Sequence, residues 1–100
     1  MFTLKIAYND NSIELIKELE KSLIDYPLVE LESYHEDFLK ERKKAFGLKT
    51  EWGTKQSPFA ILLDPEKKPI VAFYNERNDC TLDKILESLQ SFIAYENTSN

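Results

Sequence analysis

Four segments of the chain carry the patterns of hydrophobic and polar residues that are typical of β-strands. Phe2 to Tyr8 (FTLKIAY) and Leu28 to Tyr34 (LVELESY) alternate with a period of two, which predicts strands with one buried face. Phe59 to Leu63 (FAILL) is apolar throughout, so this strand is predicted to be buried on both faces. Ile70 to Tyr74 (IVAFY) follows the turn segment DPEKKP, and the last two strands are therefore predicted to form a hairpin.

Three other segments are predicted to be helices, and in the first and third of them apolar residues recur at intervals of three and four, which is the spacing of an amphipathic helix. The first runs from Ser12 to Asp25 and is stopped by Pro27. The second is marked by the apolar residues Phe38, Leu39, Ala45 and Phe46. Its first turn is acidic (Glu36 and Asp37), its last turn is basic, and Gly47 is placed to end it. The third carries its apolar stripe over residues 82–93. The alternation of strands and helices predicts an α/β domain.

Polar residues predict where two of the helices begin, and one polar segment predicts a long loop. Asn11 with Glu14 three residues later predicts a capping box at the first helix. Either Asp79 or Thr81 is predicted to be the N-cap of the last helix. Leu48 to Ser57 (LKTEWGTKQS) shows neither period and is predicted to be a long loop, of the kind that tends to be functional or mobile.

The length and composition of the chain suit one compact domain, since 42% of its 100 residues are hydrophobic. We predict that this domain spans residues 1–95 and that residues 96–100 (ENTSN) form a flexible polar tail. The net charge of −5, with basic residues balanced locally by acidic ones, argues against nucleic acid as a partner. No segment approaches the roughly 20 apolar residues of a membrane span and the N-terminus does not fit a signal peptide, so a cytoplasmic protein without membrane contact is predicted.

The predicted order of elements is βαβαββα, which resembles the thioredoxin fold in its small, glutaredoxin-like form over nearly the whole chain. The resemblance implies a four-stranded mixed sheet flanked by three helices. In that family the strand that opens the hairpin begins with a cis-proline, and here Ser57-Pro58 stands immediately before the apolar strand. The resemblance therefore implies a cis Ser57–Pro58 bond, the other interpretation being a trans proline that only starts a strand.

The defining motif of this family, C-x-x-C or C-x-x-S at the start of the first helix, has no cysteine in this chain. The corresponding junction is Asn9-Asp10-Asn11-Ser12, which matches a C-x-x-S pattern only at its serine. Family chemistry proceeds by attack of a thiolate on a disulfide sulfur, and asparagine supplies no thiolate. The residue types at this junction therefore exclude ordinary dithiol oxidoreductase activity.

The predicted topology brings three segments to one end of the sheet, namely Asn9 to Ser12, Ser57 with Pro58, and Asn78 to Thr81. The first and last helices both begin there, with unpaired backbone N–H groups and positive dipole ends. In glutaredoxin-like proteins this corner holds glutathione, so the resemblance implies binding of glutathione or another small anionic peptide. The carboxylates of Asp10 and Asp79 would oppose an anionic ligand.

Single copies of cysteine and histidine limit the available chemistry, because they exclude an intramolecular disulfide and most zinc sites. Cys80 is predicted to lie at the start of the last helix, where it is either a nucleophilic monothiol or a small, partly buried residue without chemistry. Neighbouring Asp79 and Asp83 oppose its ionisation. His35 is expected to be a surface residue at a different edge from the corner.

Three functional interpretations follow from these residues. The first is a binding module that has lost redox catalysis and contacts a protein partner or small anionic peptide through the corner and the loop around Trp52, as a monomer without a cofactor. Trp52 either covers the corner or pins its loop to the core. The second is a glutathione-linked oxidoreductase that depends on Cys80. The third is a structural or assembly component, which predicts stable self-association or a large exposed apolar patch.

Overall fold

The computed structural model describes residues 1–37 and 57–98, with side chains described as far as residue 93. The predicted middle helix beyond residue 37, the predicted long loop as far as residue 56, and Trp52 lie outside the described residues. Residues 36 and 37, the predicted acidic first turn of the middle helix, are helical.

A four-stranded mixed sheet forms the centre of the protein. Its strands are β1 (Phe2–Tyr8), β2 (Val29–His35), β3 (Phe59–Leu63) and β4 (Pro69–Tyr74), in the spatial order β2-β1-β3-β4. β2 runs parallel to β1, whereas β3 is antiparallel to both β1 and β4. The four strands predicted from hydrophobic periodicity, the predicted hairpin and the mixed α/β sheet are confirmed, with strand ends within one residue of the prediction.

The side chains of β1 and β3 alternate between the two faces of the sheet. Leu4 and Ile6 of β1 lie on one face with Ala60 and Leu62 of β3, whereas Ala7 of β1 lies on the other face with Phe59, Ile61 and Leu63. Both sets are buried. The uninterrupted apolar run of β3 is therefore explained by burial on both faces, as predicted.

Two α-helices in the described part of the chain pack on the first face, α1 (Ile13–Ser22) and α2 (Leu82–Thr98). Short 3₁₀ turns at Asp10–Ser12 and Leu23–Asp25 extend α1 at both ends. Their buried stripes face the sheet, and consist of Ile16 and Leu19 in α1 and Ile85, Leu89 and Ile93 in α2. The helical spacing of apolar residues thus predicted both helices and most of the faces that they bury, but Ile13, Ile24 and Phe92, which belong to the predicted apolar stripes, are exposed.

The last helix extends beyond the apolar stripe that predicted it. α2 continues to Thr98, which lies inside the segment predicted to be a polar tail. Residues 82–98 contain no glycine or proline, so no residue type that usually terminates a helix interrupts the backbone hydrogen bonds.

Strand register brings the predicted corner together. β1 and β2 end side by side because Tyr8 pairs with His35, and β3 begins beside them because Ala7 pairs with Phe59. Tyr74 pairs with Phe59 and ends β4 at the same edge. The segments that follow or precede these residues in sequence therefore meet at one end of the sheet.

Candidate functional site

Asn9 caps the first helical turn after β1. Its Oδ1 accepts hydrogen bonds from the Asn11 backbone N–H at 2.9 Å and from Ser12 Oγ at 3.2 Å, and its own backbone N–H donates to Ser12 Oγ at 2.9 Å. Asn9 and Ser12 form a capping box. The predicted pair Asn11 and Glu14 was wrong, because the helical turn begins two residues earlier as a 3₁₀ turn that places Asn9 at the N-cap.

The same Asn9 side chain links the first helix to the segment before β3. Its Nδ2 donates to the backbone oxygen of Ser57 at 3.0 Å and lies 3.0 Å from Ser57 Oγ. Ser57 is buried, and its hydroxyl donates to Glu36 Oε2 at 2.7 Å. The Ser57–Pro58 peptide bond is cis, as predicted. The floor of the corner is thus a hydrogen-bonded network in which the carboxamide of Asn9 is fully used.

Replacing Asn9 by alanine is expected to destabilise the protein by about 1–3 kcal/mol, because it removes a helix cap and leaves the Ser57 carbonyl without its donor. Asn11→Ala is the matched control, since the side chain of Asn11 is exposed and only its backbone takes part in the cap. Equilibrium urea unfolding measures both variants. Equal stability of Asn9→Ala and Asn11→Ala would contradict the assigned role of Asn9.

His35 lies beside the corner, so its expected position at a different edge was wrong. Parallel pairing with Tyr8 places it there, and its ring meets the Tyr8 ring edge-on at 5.4 Å between centroids. The backbone N–H of Asp37 donates to Nδ1 at 3.2 Å, and Nε2 lies 2.9 Å from Asp10 Oδ1. Nδ1 also lies 3.6 Å from Asp37 Oδ2, so the imidazole ring stands between the carboxylates of Asp10 and Asp37.

The segment between β4 and α2 is held by its own charged residues. Asp79 Oδ1 accepts a hydrogen bond from the backbone N–H of Tyr74, and Asp79 Oδ2 lies 3.3 Å from Nε of Arg77. The Arg77 guanidinium stacks over the Tyr74 ring at 4.3 Å. Asn78 takes the left-handed conformation with φ 56°, which asparagine tolerates well. Asp79 and Asn78 therefore shape the loop.

Thr81 is the N-cap of α2, which was one of the two predicted alternatives. Its hydroxyl oxygen accepts from the backbone N–H of Lys84 at 3.3 Å and its carbonyl from Ile85 at 3.0 Å. Asp79, the other alternative, lies two residues before Thr81, and its carboxylate accepts a hydrogen bond from the backbone N–H of Tyr74 instead. This choice of cap sets where α2 starts beside the corner.

A cleft of about 520 Å³ lies between α1 and the start of α2. Seven residues predicted for the site line it: Asn9, Asn11, Ser12, Ser57, Pro58, Cys80 and Thr81. Three predicted residues are not among its described lining residues: Asp10, Asn78 and Asp79. Trp52, the remaining predicted site residue, lies outside the described residues. The predicted cluster therefore forms, without the acidic side chains that were expected to oppose an anion.

Four other residues line the cleft that the sequence did not single out: Leu15, Glu18, Asn75 and Leu82. Leu15 and Glu18 follow Asn11 at intervals of four and three, so the three side chains lie along one face of the first helix. This spacing is a signal that points to Leu15 and Glu18 once the corner is located. No such spacing points to Asn75 and Leu82, because their place in the cleft depends on how α2 packs against α1.

The lining of the cleft consists of a hydrogen-bonded floor and of polar groups at the rim. The side chains of Asn9, Ser12 and Ser57 satisfy one another, as described above. Within the part of the chain that the structure describes, the carboxamides of Asn11 and Asn75 and the carboxylate of Glu18 form no hydrogen bond or ion pair. A ligand would therefore meet these groups without displacing an internal contact.

Cys80 lies in the wall of the cleft with its thiol shielded. The residue is 6% exposed, and burial first and the Asp79 carboxylate second raise the pKa of its thiol to about 12. The thiol is consequently protonated at neutral pH. Of its two predicted interpretations, these properties are those of a buried residue without thiolate chemistry.

Residues 1–37 and 57–98 contain no group of three or more histidine, cysteine, aspartate or glutamate residues that could hold a metal ion. In the same part of the chain, no helix has both the length and the hydrophobicity needed to cross a membrane. Comparison with known proteins returns no match for this chain, whether with family models, with curated proteins or with solved structures.

Proposed function

We propose that this protein is a thioredoxin-like domain that has no thiol chemistry and binds a peptide segment of a partner protein in the cleft between α1 and α2. The strand order β2-β1-β3-β4, the directions of the strands and the proline that opens β3 support the resemblance. Small α/β folds host many activities, so the function rests on the cleft and not on the fold.

The observation that carries the proposal is the role of Asn9. The resemblance assigns this position to the nucleophilic cysteine, and here a hydrogen-bonded carboxamide stands in its place, linked to Ser57 at 3.0 Å. The nucleophile is replaced by a structural contact, while the neighbouring cleft stays open. A corner built in this way supports binding without group transfer.

The lining of the cleft suits a peptide. Leu15, Pro58 and Leu82 supply apolar surface, and the free carboxamides of Asn11 and Asn75 match the donors and acceptors of a peptide backbone. The cleft volume lies within the roughly 300–1,000 Å³ of typical ligand pockets, which combine apolar walls with a few polar groups. We expect the cleft to hold two or three residues of an extended segment.

The alternative, an oxidoreductase that uses Cys80 with glutathione, requires an accessible thiolate. Burial of Cys80 and the raised pKa of its thiol both argue against such a nucleophile. Glutathione enters the proposal only as a test ligand.

The proposal predicts saturable changes in the backbone amide shifts of Asn11, Leu15, Asn75 and Leu82 when the ¹⁵N-labelled protein is titrated with mixed-sequence pentapeptides carrying acetyl and amide caps. Asn11→Trp places a bulky ring at an exposed position on the cleft rim and is expected to abolish these changes. Lys17→Trp is the control, because Lys17 is exposed on the same helix and does not line the cleft. Absence of saturable shifts, or equal loss in both variants, would reject the proposal.

A further inference from the structure

Glu18 is the only residue with a formal charge among the described residues that line the cleft. The others are amides, hydroxyls, a buried thiol or apolar side chains. A ligand in the cleft therefore meets one negative charge and no positive charge from these residues. An anionic peptide would require positive charge in its binding site, and these residues supply none.

The carboxylate of Glu18 is not neutralised by its described surroundings. Lys17, the adjacent residue, pairs with Glu14 at 3.5 Å. Arg77 is held by Asp79 at 3.3 Å and by the carbonyl of Ala72. Glu18 forms no ion pair in the part of the chain that the structure describes.

The positive ends of the two helices offer little to an anion, because their first N–H groups are already partly occupied. Asn9 accepts from the N–H groups of Asn11 and Ser12, and Thr81 accepts from that of Lys84. The attraction of an anion to a helix N-terminus depends on free N–H groups. Glu18 consequently dominates the charge that the cleft presents.

We infer that the cleft selects a cationic peptide segment, in which a lysine or arginine side chain pairs with Glu18 while an adjacent apolar residue contacts Leu15 and Leu82. The inference rests on the proposed function, since it names the chemistry of the ligand in the same cleft. Asn11 and Asn75 then pair with the backbone of that segment. The net charge of this ligand is opposite in sign to that of glutathione, the ligand that the resemblance implied.

The test uses three pools of capped pentapeptides with identical mixtures at the flanking positions and lysine, glutamine or glutamate at the centre. Titration of the ¹⁵N-labelled protein is expected to show the lysine pool binding about two- to fivefold more tightly than the glutamine pool, as for one exposed ion pair, and the glutamate pool more weakly than both. Raised salt is expected to reduce the difference. Reduced glutathione is expected to bind more weakly than the lysine pool.

The matched variants are Glu18→Gln and Glu20→Gln. Glu20 is exposed on the same helix and does not line the cleft, so its variant changes the net charge equally. Glu18→Gln is expected to remove the preference for lysine and Glu20→Gln to keep it. Equal affinity of all pools, or a preference that survives Glu18→Gln, overturns the inference and leaves the proposed function standing. If no pool shifts the cleft amides, the proposed function fails and the inference fails with it.

Discussion

In the folded protein at pH 7.5, the thiol of Cys80 is expected to react with iodoacetamide at least a thousandfold more slowly than in the urea-unfolded chain. Burial raises its pKa to about 12, so a fraction on the order of 10⁻⁵ to 10⁻⁴ is thiolate at this pH. An unfolded cysteine, with a pKa of about 8.5, is roughly 10% ionised. Since the thiolate is the reacting species, the two rates differ accordingly.

The pH profile of this reaction separates a raised pKa from simple exclusion of the reagent. The folded-state rate is expected to rise about tenfold per pH unit from neutral pH towards 12, whereas the unfolded rate levels off above about pH 9. Cys80→Ala combined with Glu20→Cys provides an exposed thiol on the same fold as the control. A folded-state rate within tenfold of the unfolded rate would restore the oxidoreductase alternative.

Shortening Leu62 to alanine is expected to lower the free energy of unfolding by about 2–5 kcal/mol. Leu62 is fully buried in β3, on the face that packs against α1 and α2, so its removal leaves a cavity between sheet and helices. Domains of this kind are stable by only about 5–15 kcal/mol, and the variant therefore loses a large part of that stability.

Ile24→Ala is the matched control for Leu62→Ala, because Ile24 is 79% exposed in the 3₁₀ turn after α1. Its effect is expected to stay within about 0.5 kcal/mol. Urea unfolding followed by circular dichroism measures both. A loss below 1 kcal/mol for Leu62→Ala would mean that the described core does not carry the stability of the fold.

Local patterns were sufficient for most of the elements. The alternation of Phe2, Leu4 and Ile6 predicted β1, and the unbroken apolar run of β3 predicted burial on both faces, because side chains alternate between the faces of a strand. Local patterns predicted the ends of the elements less well. The first helical turn is capped by Asn9 and not by Asn11, and Asn9 is also held by its link to Ser57, a contact between residues distant in sequence.

In the candidate site too, some features could be predicted from the sequence and others depend on tertiary contacts. Its lining at Asn9, Ser57 and Cys80 was predicted because topology brings the ends of known elements together. The placement of His35 was wrong, since it depends on the parallel register of β2 against β1. Asp10 and Asp79 were expected in the site because they are neighbours in sequence, but their carboxylates bond His35 and Tyr74.

The amino-acid sequence by itself determined the four strands, the first and last helices, the α/β class and the absence of a cysteine at the first helix, because these depend on residue types and their spacing. Tertiary structure alone decided that Cys80 is buried, that Asn9 reaches Ser57 and that Glu18 faces a cleft between α1 and α2. Burial and hydrogen bonding between distant residues arise from how the elements pack, and that packing sets the pKa of the thiol and the charge of the cleft.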